Sequence, residues 1–254
     1  MDTLMFFYTL AILVICIVTA VLSLAAYASS RRQFFIYGSG VFICYAIEMT
    51  EIFFFEYTLQ NRSFPANDYY SITMPVMRTL VATASQAFIW AIAMDLLDKH
   101  SKKLFAIPVL TFLLCESLII VAVPSGPMHQ WLYYTMRQAF LVFMGLYIFW
   151  TAHKSTKVEL KARVNNQRKH MIIGAILVGC IVAEDFYNIL VVPMSLAPSW
   201  LQLYLSERNF SENVFACYFA ILLIIYSYHV LSIRMQEAPE EKNVSDLDRH
   251  IEEQ

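Results

Sequence analysis

Seven apolar stretches, each near or above the ~20 residues that a helix needs to cross the hydrocarbon core, dominate this chain. They run approximately over Leu4–Tyr27, Phe34–Tyr57, Ile72–Leu97, Leu104–Val123, Trp131–Ala152, Met171–Val192 and Val214–Ile233. Lipid offers no partner to a backbone N–H or C=O, so stretches of this length must close their hydrogen bonds internally as helices. The expected fold is therefore an all-α membrane protein, a seven-transmembrane helix bundle over residues 1–235 with an acidic cytoplasmic tail over 236–254. Composition agrees: 59% of the 254 residues are hydrophobic and 15% charged, far from the soluble norm. Asp2 is the only charge before the first stretch, so that stretch lacks the basic leader of a signal peptide.

Orientation follows from where Lys and Arg fall. The first connection carries Arg31 and Arg32, and the third Lys99, Lys102 and Lys103. The fifth is the most basic, with Lys154, Lys157, Lys161, Arg163, Arg168 and Lys169. The second has only Arg62, the fourth no basic residue, and the sixth only Arg208. The odd connections are thus expected in the cytoplasm, with the N-terminus outside and the C-terminus inside. Two longer outer connections differ in character. Thr58–Ser71 is irregular and polar, and Pro193–Asn213 contains Trp200, Leu201, Leu203, Tyr204 and Leu205, the pattern of a short interfacial helix.

Ionisable residues inside the apolar stretches carry the functional signal. Glu48, Glu51, Arg78, Glu116, Arg137, Glu184 and Asp185 all lie within them. A charge near the bilayer centre costs at least ~2.5 kcal/mol, so such groups face one another or a wet cavity. At a rise of ~1.5 Å per residue, all seven fall in the outer half, Glu116 just past the midplane. Glu48 and Glu51 share a helix face at i,i+3 spacing, and Tyr187 and Asn188 stand just above Glu184 and Asp185. Internal ion pairing is one reading: Arg78 with Glu48 or Glu51, and Arg137 with Glu184 or Asp185. Yet five acids face two arginines, leaving at least three carboxylates without a basic partner. That surplus suits a cationic ligand, proton sensing or a wet cavity. The candidate ligand-binding set is therefore Glu48, Glu51, Arg78, Glu116, Arg137, Glu184, Asp185, Tyr187 and Asn188.

Other chemistry finds little footing. The five cysteines lie within apolar stretches and read as packing residues rather than a disulfide framework. No CxxC, HExxH, P-loop or dinucleotide motif occurs, and the seventh stretch has no lysine for a retinal Schiff base. No enzymatic activity, cofactor or metal is expected. A small-solute transporter or channel is the rival. The six glycines and the lack of paired, Gly/Pro-broken helices count against it. A scaffold whose charges only pair helices is a third reading. Pro75 and Pro108 lie near helix starts, where proline is tolerated. Residues Asn243–Ile251 of the tail have the makings of a helix start, capped at Asn243 or Ser245.

Some short motifs point to one family. Phe6-Phe7-Tyr8, Ser30-Arg31-Arg32, Tyr228-His229-Val230-Leu231-Ser232 and above all Leu247-Asp248-Arg249-His250-Ile251 resemble the membrane domain of actinobacterial membrane-bound LuxR-type transcriptional regulators. In that family the linker leads into a helix-turn-helix DNA-binding domain. The resemblance implies a bacterial cytoplasmic-membrane sensor that signals to a cytoplasmic output module, or as a homodimer. The chain stops at Gln254, where that domain would begin, so a truncated regulator or a stand-alone relative is expected. The acidic tail would be repelled by phosphate, so no direct nucleic-acid binding by this chain is expected.

Overall fold

The computed structural model describes residues 2–53, 75–99, 101–124, 126–191 and 210–252. Among them the chain is helical: α1 (Asp2–Ser30), α2 (Gln33–Phe53), α3 (Pro75–Leu96), α4 (Lys102–Ala122), α5 (Pro127–Lys154), α6 (Val158–Phe186) with a widened π turn at Tyr187–Val191, and α7 (Phe210–Glu252). The polar second connection and the expected interfacial helix after Pro193 lie largely outside the described residues. Five of the helices are long and apolar enough to cross a membrane: α1, α3, α4, α6 and α7. The other two, α2 and α5, are 21 and 28 residues long. Glu48 and Glu51 dilute the hydropathy of α2, while Gln130, Arg137 and Gln138 dilute that of α5.

A lipid-facing surface is plain on α4. Ile107, Leu110, Leu114, Leu118 and Val121 follow one another at three- and four-residue steps, and Val121 is 84% exposed. A contiguous exposed apolar stripe of this kind on a helix of spanning length suits contact with hydrocarbon. Twenty-one residues rise ~32 Å, which matches the ~30 Å hydrocarbon thickness.

Neighbours in sequence pack together, and α7 returns against α1 and α6, with α3 also touching α5. The interior divides into two apolar clusters. One joins α1, α2 and α7 through Ile12, Cys16, Phe35, Phe42, Ala220 and Leu223. The other joins α3 to α6 through Trp90, Met94, Phe112, Phe140, Ile148 and Val164. Small residues permit the close approaches. The backbone at Gly40 faces the Phe88 ring, where a Cβ would come within 2.7 Å, and Ser39 Oγ donates to the Ala20 carbonyl across the α1–α2 contact at 3.0 Å.

Helix ends obey local chemistry. Asp98 adopts a left-handed backbone (φ 53°), its N–H donates to the Asp95 carbonyl, and the Lys99 N–H reaches back to Met94. That is a Schellman closure of α3 with aspartate in the place glycine usually takes. Arg31 (φ 55°) ends α1 in the simpler left-handed form, donating to the Tyr27 carbonyl.

Three boundaries differ from the sequence reading. The basic fifth connection is mostly helix: α6 starts at Val158, and only Ser155–Lys157 separates it from α5. Polar residues at the water end of a long helix lower hydropathy without breaking the helix, so a window reading trims them. The α7 backbone likewise runs on through the acidic tail to Glu252, with no separate helix start at Asn243. Pro108 lies inside α4, beyond its first turn, rather than at its start. Proline has no N–H to give the Leu104 carbonyl four residues back. The Trp90 indole N–H, on α3, fills that place at 3.1 Å, with the ring fully buried against Phe140, Phe143 and Tyr147. Trp90→Phe should therefore orphan this carbonyl and leave a void. An expected loss of about 1–3 kcal/mol, read by thermal unfolding in detergent, checks the tie.

Candidate functional site

The ionisable residues gather at one end of the bundle, where α2 finishes and α3, α5 and α7 begin. Glu51 is in the last turn of α2, and the Arg78 Nε–H of α3 donates to its Oε1 at 2.9 Å. The same guanidinium donates through NH1 to the Tyr134 hydroxyl of α5 at 2.9 Å. One helical turn back along α2, Glu48 receives Arg137 of α5 in a two-pronged contact, NH2 to Oε1 at 2.9 Å and NH1 to Oε2 at 3.2 Å. Only the NH1–Oε2 prong is a hydrogen bond; the NH2–Oε1 approach is a close charge contact, so the pair falls short of a full bidentate fork. Thr79 and Tyr133 hydroxyls stand 3.4 Å apart beside it.

Arg137 also lies 3.8 Å from Glu212, in the first turn of α7. The pairing of Arg137 thus differs from the sequence reading, which offered Glu184 or Asp185. The reason is geometric: Glu184 is taken by another partner. Its two oxygens accept the backbone N–H groups of Phe210 and Ser211 at 2.9 and 2.7 Å. A carboxylate from α6 therefore caps the α7 N-terminus, satisfying orphan donors and complementing the positive end of the helix dipole.

Two acids are left over. Glu116 is fully buried, and neither carboxylate oxygen has a hydrogen-bond partner among the described residues. It is one of two buried residues on α4, with Phe112 one turn below, on a helix otherwise turned largely to lipid. Asp185 is buried at 8% exposure and makes no hydrogen bond or ion pair among the described residues. Asp185 is followed at once by Phe186, whose ring packs edge-on to Trp131 of α5 at 6.3 Å. Tyr187 and Asn188 are half-buried in the π turn, and neither hydrogen-bonds a charged group among the described residues. A widened turn next to buried acids re-aims side chains and often marks a functional position.

Glu212 was missed by the sequence reading because hydropathy begins the last helix after it. The signal was nonetheless present: an acidic residue just ahead of an apolar run suits a helix first turn. Asn213, beside it, lies 3.5 Å from the Tyr45 hydroxyl of α2. With Glu212 included, six carboxylates (Glu48, Glu51, Glu116, Glu184, Asp185, Glu212) meet two arginines among the described residues. Both arginines join elements of the two apolar clusters: Arg78 ties α3 to α2, and Arg137 ties α5 to α2 and α7. The His170–Tyr218 contact at 2.8 Å, between α6 and α7, makes a further polar crossing. Among the described residues no group of three His, Cys, Asp or Glu is placed to hold a metal ion. No protein-family model, curated protein or solved structure matches the chain.

Proposed function

We propose that the protein is a multi-pass membrane sensor, seven-spanning with its N-terminus outside, that answers a small cation or protons arriving at the outer charge layer. The observation that carries this reading is the surplus of buried acid. After Arg78, Arg137 and the α7 N-terminus have taken their partners, Glu116 remains fully buried with neither oxygen hydrogen-bonded among the described residues, and Asp185, 8% exposed, has no ion pair among them. Burial without a partner costs several kcal/mol in charged form, so a cation or a proton is the species that relieves it. Span number and orientation rest on the lengths of α2 and α5, their packing among the five apolar helices, and the Lys/Arg asymmetry of the connections.

The output belongs to α7. Its N-terminus is held by Glu184 and touches Arg137 through Glu212, while its backbone continues past the apolar span to Glu252. Relief of charge around Asp185 and Glu212 shifts the balance between the α1–α2–α7 group and the α3–α6 group, and α7 carries that bias to the cytoplasmic end. A ligand does this only through different affinity for two arrangements. The likeness of the juxtamembrane and linker segments to LuxR-type membrane regulators supports transcription as the output, in a bacterial membrane.

Trp131, packed on Phe186 beside Asp185, is a natural reporter. In nanodiscs, its fluorescence should change on acidification and on addition of tetramethylammonium chloride, with Trp131→Phe as the blank. The Glu116→Gln/Asp185→Asn double variant should lose the change while still inserting. An unaltered response in that variant removes these acids from the mechanism. Flux of tetramethylammonium into proteoliposomes would instead make the protein a transporter.

A further inference from the structure

At the opposite end of α3, α5 and α6 from the charge layer, the end of α3, the end of α5 and the start of α6 enclose a cleft of about 480 Å³. That size is within the range of small-molecule sites. Its wall includes Lys99, Tyr147, Trp150, Lys154, Lys157 and Arg163. Two acids, Asp98 and Glu159, also border it, leaving a net charge of +2 from four cations and two carboxylates. None of the four cations forms an ion pair with a carboxylate among the described residues. Aromatic rings place two of them. Lys99 Nζ donates to the Tyr147 hydroxyl at 3.1 Å, and Lys154 Nζ stands 4.1 Å over the Trp150 ring, one helical turn away.

The geometry points to a site for the phosphate-bearing headgroup of an anionic phospholipid. Charge alone would suit any phosphate, but the cleft does not open to water on every side. Trp150, at 62% exposure, continues into Leu146, Phe149, Phe143 and Val142, an exposed apolar face running down α5 toward the bilayer centre. A headgroup among the lysines and Arg163 would lay its acyl chains along that face, which a soluble phosphate leaves bare. Basic pockets between helices with aromatic rims at headgroup level have the chemistry for this. The Schellman turn at Asp98–Lys99 holds one wall, and the short Ser155–Lys157 link holds the other. The leaflet, though not the site, rests on the topology proposed above.

The test is native mass spectrometry of the full chain purified in mild detergent and offered phosphatidylglycerol or phosphatidylcholine. Wild type should retain phosphatidylglycerol preferentially. Lys154→Gln/Arg163→Gln should weaken that retention about twenty-five-fold, at roughly fivefold per charge. The charge-matched control Lys161→Gln/Arg168→Gln, on exposed positions of α6 outside the cleft, should weaken it less than about twofold. The charge-preserving Lys154→Arg/Arg163→Lys should bind as wild type, which separates charge from fold. Equal losses in cleft and control variants overturn the site in favour of diffuse surface attraction. Inorganic phosphate displacing the lipid at equal concentration overturns the lipid assignment in favour of a soluble anion. An orientation assay finding these lysines outside would overturn the topology and leave lipid retention untouched.

Discussion

Arg137→Gln should destabilise the bundle more than any other single neutralisation in the charge layer, by about 3–5 kcal/mol. The guanidinium is 12% exposed and stands between two carboxylates, 2.9 Å from Glu48 and 3.8 Å from Glu212. Removing it leaves two like charges facing each other in a site that excludes most water, which costs more than losing one attractive contact. It also unties α5 from both α2 and α7, so both apolar clusters lose a shared anchor. Adding Glu48→Gln to Arg137→Gln should recover a large part of the loss, because the orphaned acid disappears with its partner. Arg78→Gln should cost less, since Arg78 is 18% exposed and holds one carboxylate rather than two. Unfolding in mixed detergent, followed by loss of helical signal, measures all three. If Arg137→Gln unfolds within about 0.5 kcal/mol of wild type, the pair is ornamental and the layer does not join the two groups.

How much of this was legible beforehand depends on which physical signal was strong. Helix existence was readable, because a backbone in lipid has no alternative to internal hydrogen bonds. All seven apolar stretches correspond to helices, most of them longer than the stretch that announced them. Boundaries were poorly readable wherever a helix leaves the apolar zone: Val158–His170 and the tail are polar, and hydropathy cannot see a helix that continues into water. That the acids and arginines share one end was readable from counting turns. Which acid meets which arginine was not, because partner choice depends on rotation of each helix about its own axis. Glu184 illustrates this. Sequence marks it as a buried acid, but its role as the cap of α7 requires knowing that Phe210 and Ser211 stand beside it. The Trp90–Leu104 bond is another case: Pro108 signals an orphaned carbonyl, yet only packing identifies the indole that serves it.

Glu116 offers the sharpest separation between a structural and a sensing role, because the two predict opposite signs. Phe112 and Glu116 are the two buried residues of α4, and neither Glu116 oxygen has a hydrogen-bond partner among the described residues. A residue there for stability would be apolar. Replacing it with methionine, of similar length and without polar atoms, should raise stability by about 1–4 kcal/mol. Glu116→Gln should fall between, since an amide is cheaper to bury than a carboxylate but still lacks partners. Both variants should lose the Trp131 response to acid or to tetramethylammonium. Gain of stability with loss of response is the pattern of a site that holds an unfavourable group for the work it does. If Glu116→Met is instead destabilised by a kcal/mol or more, the carboxylate holds the bundle together, and the sensing role passes to Asp185 alone. Asp185→Asn then carries the decision, measured by the same fluorescence and the same unfolding curve.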